Sequence, residues 1–208
     1  MKPILAFDVY GTLVDPMGMA DLLAPDAGQA AESVSAQWRE KQLEFSFRKG
    51  LMRMYEDFGA CTRQALRYAM ASHGLSLSGE REDELMGAYL SLPAFDDSLP
   101  ALESLKGEYR MFAFSNGTYP ALEKVLGHNH LLDLFEGLVS VDDIKSFKPD
   151  PAVYAYARRA TGAMDKSLCL VSSNAWDVIG ARAAGLTAIW VQRDAGKVFE
   201  DWGIEPNA

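Results

Sequence analysis

The stretch Ile4-Leu5-Ala6-Phe7-Asp8-Val9-Tyr10-Gly11-Thr12-Leu13 constrains this chain more than any other. Four consecutive apolar residues offer no polar face to water, so they read as a strand covered on both sides, as the strands of parallel sheets are. The carboxylate and Gly-containing turn that follow put Asp8 at the open end of such a sheet, where α/β folds gather their ligands and reacting groups. Alone, an Asp-x-x-Gly segment is an ordinary turn. Its meaning here depends on what lies further along.

From about Gln29 to Leu92 the pattern is helical, with no convincing strand, after a turn-rich connection over Pro16 to Pro25. Val34, Trp38 and Phe45 mark one apolar face; Thr62 is expected to cap a segment carrying Leu66 and Met70; Leu85, Ala88, Tyr89 and Leu92 recur at helical spacing. These helices should pack as a small bundle. Ser98-Leu99-Pro100 then reads as a helix start with Ser98 as cap.

Beyond it, strands and helices alternate. Met111–Phe114, Gly137–Ser140, Leu168–Val171 and Ala188–Val191 are short apolar strands, and Asp150 with Pro151 opens one of the intervening helices. The fold class expected is α/β, a doubly wound parallel sheet (Rossmann-like core) with an inserted helical-bundle cap. Residues 1–14 and 96–208 form the core and 15–95 the cap. Asp8, Ser115-Asn116 and Ser172 to Asp177 each fall just past a predicted strand, so the sheet would bring them to one rim, with the insertion over it as a lid.

Composition closes off other classes. A net charge of -9 without any Lys/Arg run argues against nucleic acid as a partner. No apolar run reaches the length of a membrane span, and Met1-Lys2-Pro3 runs straight into strand residues, so neither membrane nor signal peptide is expected. Cys61 and Cys169 are far apart and lack metal-site spacing. They read as buried thiols of a cytoplasmic protein.

At the shared rim, Asp8 is the candidate nucleophile, since a strand-end carboxylate can form an ester and split one displacement into two. Ser115 and Asn116, read as lying at a helix amino end, suit an anion. Lys148 supplies positive charge, and Asp177 would pair with it. Singly these residues have plain structural roles as caps, surface charge and first-turn acid; their order and their strand-end positions set them apart.

In those positions the sequence resembles the haloacid dehalogenase-like hydrolases. The four family motifs stand as Asp8-Val9-Tyr10-Gly11-Thr12-Leu13, Ser115-Asn116-Gly117-Thr118, Lys148-Pro149-Asp150-Pro151 and Ser172-Ser173-Asn174-Ala175-Trp176-Asp177. Asp-x-Tyr-Gly-Thr in place of the phosphatases' Asp-x-Asp-Gly-Thr, together with Ser-Ser-Asn-Ala-Trp-Asp, is closest to the L-2-haloacid dehalogenase branch. Gln37–Leu43 looks like that branch's lid helix. The resemblance implies attack by Asp8 on C2 of a small 2-haloacid, release of halide ion, and water attack on the resulting ester. Ser115, Lys148 and the amides of Val9, Tyr10 and Asn116 would hold the substrate carboxylate. Arg39 and Asn116 would receive the halide; Thr12, Tyr154, Ser172, Asn174 and Asp177 would support nucleophile, lysine or water; and Tyr10, Leu43, Phe58 and Trp176 would wall an apolar pocket. No cofactor and no metal are expected, because a halide leaves without a proton and Tyr10 removes the phosphatase acid. The resemblance also implies a homodimer through the lid helices. Glu40 departs from the branch, which more often carries Gln there, and a carboxylate beside the substrate would narrow the range of anions accepted. His73, His128 and His130 match no motif position.

Three other readings remain open at this level. One is displacement on the same scaffold without a halide, such as opening a strained 2-carboxylated ring. Another is a Mg2+-dependent phosphatase, and the third an idle binding protein. Halide release separates the first, EDTA sensitivity the second, and the effect of Asp8→Asn the third.

Overall fold

The computed structural model describes residues 2–163, 167–200 and 202–208. Five strands form one wholly parallel sheet: β1 (Ile4–Phe7), β2 (Arg110–Ser115), β3 (Gly137–Ser140), β4 (Leu168–Ser172) and β5 (Thr187–Trp190), in the order β3-β2-β1-β4-β5. β1 is central, and all four of its residues are buried, as its unbroken apolar run requires. Helices α5 (Ser98–Leu105), α6 (Tyr119–His128), α7 (Pro151–Thr161) and α8 (Ala175–Ala183) connect the strands. The strand order reverses at β1, so the carboxyl ends of β1, β2 and β4 open onto a single crevice.

Between β1 and α5 the chain makes α1 (Met19–Ala27), α2 (Ala31–Met52), α3 (Phe58–Ser72) and α4 (Gly79–Tyr89). It leaves and returns through paired linkers: the Asp15 N–H donates to Pro93 O at 2.9 Å and the Phe95 N–H to Leu13 O at 3.0 Å. The expected strands coincide with the observed ones to within a residue or two, and Asp150 caps α7 through Ala152 N–H with Pro151 in the first turn.

Four local expectations are corrected. The stretch over Pro16 to Pro25 is a 3-10 turn (Pro16–Gly18) leading into α1, with Pro25 inside the helix. Both prolines sit near helical ends, where few backbone bonds are lost, and Met19 and Leu23 supply a buried face. Thr62 lies within α3, whose cap is Asp57, accepting from Ala60 N–H at 2.8 Å. The Ser98 hydroxyl does not cap α5; it donates to Leu13 O at 2.9 Å and ties the returning linker to the departing one. Cys169 is half-buried and only Cys61 fully buried, though burial pushes both thiols up to about 11.

Candidate active site

Asp8 follows β1 with its N–H bonded to Val171 O on the neighbouring strand, which fixes its backbone in the sheet. Its carboxylate is buried and almost fully provided with donors. Oδ2 accepts from Thr12 Oγ1 at 2.8 Å, Asn174 Nδ2 at 2.7 Å and Ser172 Oγ at 3.4 Å, while Oδ1 accepts from Lys148 Nζ at 3.1 Å. Thr12 is positioned in turn by the Ser173 N–H, which donates to its hydroxyl, and by Arg193, whose Nε and Nη2 donate to its carbonyl at 3.0 and 2.7 Å.

Lys148 is buried between two carboxylates. Its Nζ donates to Asp177 Oδ2 at 2.8 Å and Phe114 O at 2.9 Å and lies 4.1 Å above the centre of the Phe114 ring. Burial pulls the ammonium's pKa down, but attraction to Asp177 and then Asp8 outweighs it and holds the group above its ordinary value. Burial pushes the Asp177 carboxyl up, opposed by Lys148 and reinforced by the like charge of Asp8. The Tyr154 hydroxyl donates to Asp177 Oδ1 at 2.8 Å, and burial next to that carboxylate raises its own pKa well above the ordinary range, so it stays a phenol. Tyr154 fits only because residue 180 is glycine: a Cβ there would stand 2.5 Å from the Tyr154 hydroxyl.

A divalent cation does not suit this donor set. The place between Asp8 and Asp177 is filled by the Lys148 ammonium, and among the described residues no group of three or more His, Cys, Asp or Glu side chains is arranged to hold a metal.

The opposite wall comes from α2 and α3. Arg39 reaches over the β1 turn, its Nη2 donating to Tyr10 O at 3.0 Å, and it passes within 3.5 Å of where a Cβ on Gly11 would be. Gly11 has φ +88°, a conformation that glycine adopts without strain. Tyr10 stacks on Tyr89 with ring centroids 5.6 Å apart and tilts against Phe58 at 6.0 Å; burial raises its pKa, so it forms a neutral aromatic wall. Asp8, Tyr10, Arg39, Leu43, Phe58, Ser115, Asn116, Asn174 and Trp176 enclose a chamber of about 10 Å3, roughly the room one water needs.

All nine lining residues were expected from the sequence. Thr12, Lys148, Ser172 and Asp177 stand behind them, in contact with Asp8 or with Lys148, and Tyr154 stands behind Asp177. The Val9 side chain is buried in the core, and only its backbone faces the turn, with its carbonyl receiving three N–H groups. Ser115 and Asn116 lie at the end of β2, ahead of α6, not at the helix start expected for them; the Asn116 side-chain Oδ1 accepts the Lys148 backbone N–H at 3.0 Å. Glu40 does not approach the chamber: its side chain is 72% exposed, on the outer face of α2. Phe114, Gln42 and Arg193 were missed. Phe114 acts through its carbonyl and ring face, and Arg193 through a backbone oxygen distant in sequence, neither of which leaves a residue pattern. Gln42 did leave one, lying one helical turn from Arg39.

A buried strand-end aspartate, charge-balanced by lysine and faced by helices α2 and α3, defines an α/β protein with a charged pocket at the carboxyl ends of its strands. The family described as haloacid dehalogenase-like hydrolase matches residues 3–185. An (S)-2-haloacid dehalogenase of Pseudomonas sp. (strain YL) is 38% identical over 207 residues, 98% of this chain and 88% of that protein. The solved structure of L-2-haloacid dehalogenase from Xanthobacter autotrophicus with chloropropionic acid covalently bound superposes with a TM-score of 0.89 at 32% identity, covering 94% of this chain and 80% of that one. A solved dehalogenase at 35% identity gives 0.93 over 100% of this chain and 91% of its own. The chain belongs to the haloacid dehalogenase-like hydrolase family.

Proposed function

We propose that this protein is an (S)-2-haloacid dehalogenase that hydrolyses small L-2-haloalkanoic acids to D-2-hydroxy acids through an ester on Asp8, without a metal. The observation that carries the reading is the asymmetric bonding of Asp8. Oδ2 is held by Thr12, Asn174 and Ser172, whereas among the described residues Oδ1 has only Lys148 and keeps a lone pair for attack.

Oδ1 bonds to C2 as the carbon–halogen pair leaves with the halide, which inverts the carbon. Arg39 and Asn116 line the side where that halide would emerge. Ser115 and the amides of Val9, Tyr10 and Asn116 suit the substrate carboxylate, and Lys148, its three protons taken by Asp8, Phe114 O and Asp177, adds positive charge from behind. The ester carbonyl is then Oδ2, already facing donors at 2.8 and 2.7 Å, so negative charge arising there as water attacks is met in place. Cleavage of the acyl bond returns Asp8 and frees the hydroxy acid.

Residues 15–95 act as the cap in this scheme, and residues 1–14 with 96–208 as the core. The chamber as it stands, about 10 Å3, has room for about one water, so binding a haloacid requires the cap to move away from the core. Free thiols suit a reducing cytoplasm, and the cap helices are the surface through which two copies would pair. Among the described residues no helix is long and apolar enough to cross a membrane.

Halide release from each enantiomer of 2-chloropropionate tests the activity; turnover of the L form alone is expected. A single turnover in 18O-labelled water tests the route. The label should enter Asp8 first, and label appearing directly in the hydroxy acid would overturn the ester.

A further inference from the structure

Gln42 is fully buried on α2, one turn beyond Arg39, and both ends of its amide are engaged. Oε1 accepts from Arg39 Nη1 at 2.7 Å and from the Tyr89 hydroxyl at 3.0 Å; Nε2 donates to Thr62 Oγ1 at 2.6 Å. Thr62 Oγ1 passes its own proton to Phe58 O at 2.6 Å. The amide has one consistent orientation, because a guanidinium only donates and a hydroxyl already donating to a carbonyl must accept.

Arg39 is therefore gripped by two neutral oxygens, Gln42 Oε1 and Tyr10 O. A carboxylate in the place of Gln42 would hold it as firmly but would cancel its charge. A neutral grip fixes direction and leaves the cation free to meet charge that arises later. Burying an amide side chain is worthwhile only where each polar atom finds a partner, and here three side chains, Arg39, Thr62 and Tyr89, from three cap helices are arranged to provide them.

We infer that Gln42, backed by Tyr89 and Thr62, is the positioning residue that aims Arg39, with its charge intact, at the departing halide. The inference rests on the dehalogenase reading above and names a residue that the reaction scheme does not use.

The test is a double-substitution cycle on the single-turnover rate of halide release, which isolates the alkylation step. Gln42→Leu removes the grip. Gln42→Glu keeps an acceptor for Arg39 and Tyr89 but neutralises the guanidinium, and it serves if Gln42→Leu folds poorly. Each variant should lose about 10- to 100-fold on L-2-chloropropionate, with KM little changed. The loss should be smaller on L-2-bromopropionate, whose leaving group needs less help. In an Arg39→Ala background the same substitutions should change the rate less than about twofold, because coupled residues do not add. Full additivity in that background, or equal losses for both halides, would overturn the inference while leaving the activity standing. A wild-type protein that releases no halide from either acid would instead remove the reading underneath, and the inference with it.

Discussion

The two walls of the chamber hold charge in different ways. On the sheet side every formal charge has an opposite one in contact: Lys148 lies 3.1 Å from Asp8 and 2.8 Å from Asp177, and Tyr154, Asn174 and Thr12 complete the carboxylates' hydrogen bonds. On the cap side the cation Arg39 is bonded, among the described residues, to neutral oxygens. The sheet side thus stabilises charges present before any reaction. The cap side presents a charge with no partner until a leaving group departs. Substitutions of the charged residues on the sheet side should therefore cost both folding and activity, and substitution of Arg39 on the cap side activity alone.

Lys148→Met is the largest test of that contrast. It strands two buried carboxylates, and removing one member of a buried ionic set costs about 3–5 kcal/mol. Urea unfolding should show that loss, and halide release should fall by about three orders of magnitude or more. The pH dependence has a definite sign. The folded pKa of Lys148 lies above its ordinary 10.5, so its contribution to stability is complete below 10.5 and is lost as pH rises through the folded value. The gap in unfolding free energy between wild type and Lys148→Met should stay constant from neutral pH up to that ordinary value. A gap that closes at lower pH would mean that the ammonium is not held by the two aspartates.

Arg39→Lys tests the other wall. The charge is kept, but the planar fork that spans Gln42 and Tyr10 is lost. Halide release should drop by about 10- to 100-fold, while the unfolding midpoint stays within about 1 kcal/mol of wild type, as for other partly exposed sites. Equal losses of stability for Arg39→Lys and Lys148→Met would erase the distinction between the walls.

Gly180→Ala probes the sheet side without touching a charge. The new methyl would meet the Tyr154 hydroxyl at 2.5 Å and the Pro149 Cβ at 2.6 Å. Overpacking of this kind costs about 1–3 kcal/mol, and it pushes Tyr154 away from Asp177. Calorimetry should show the loss, and Tyr154→Phe combined with Gly180→Ala should recover part of it, because the hydroxyl that the methyl strikes is then gone.

The walls also differed in how plainly the sequence announced them. Asp8, Ser115 and Asp177 belong to segments that fall just past apolar strands, and a parallel sheet can bring strand ends together in only one place, so their meeting followed from topology. The cap wall has no such rule. Arg39 on a helix reads as an ordinary surface charge, and only the resemblance to a family raised it above that. Gln42 and Thr62 misled for a related reason: both are polar residues on a buried helical face. Thr62 reads as a cap because hydroxyls cap helices well, yet here it bonds to the carbonyl four residues back. α1 was hidden by prolines at both ends of its stretch. What the sequence left unsaid is mostly carried by backbone oxygens, such as those of Phe114 and Thr12, whose receipt of Lys148 and Arg193 depends on the assembled fold alone.

Glu40 gives the smallest effect and the finest discrimination. It is a direct neighbour of Arg39 in sequence, and a carboxylate facing the chamber would repel both substrate and halide. The helix turns it outward instead: its side chain is 72% exposed and its nearest cation is Lys41, at 4.0 Å. At that exposure water screens it from the chamber, and a surface pair of this kind contributes about 0–1 kcal/mol. Glu40→Gln should therefore leave halide release within about twofold of wild type and stability within about 0.5 kcal/mol. Measured against salt, any residual change should fade between low and physiological ionic strength. A gain of tenfold or more that persists in high salt would mean that α2 rotates when the cap opens, bringing Glu40 toward the substrate. The contrast between a charge-paired sheet wall and a cap wall whose cation has no opposite charge would then hold only for the closed chamber.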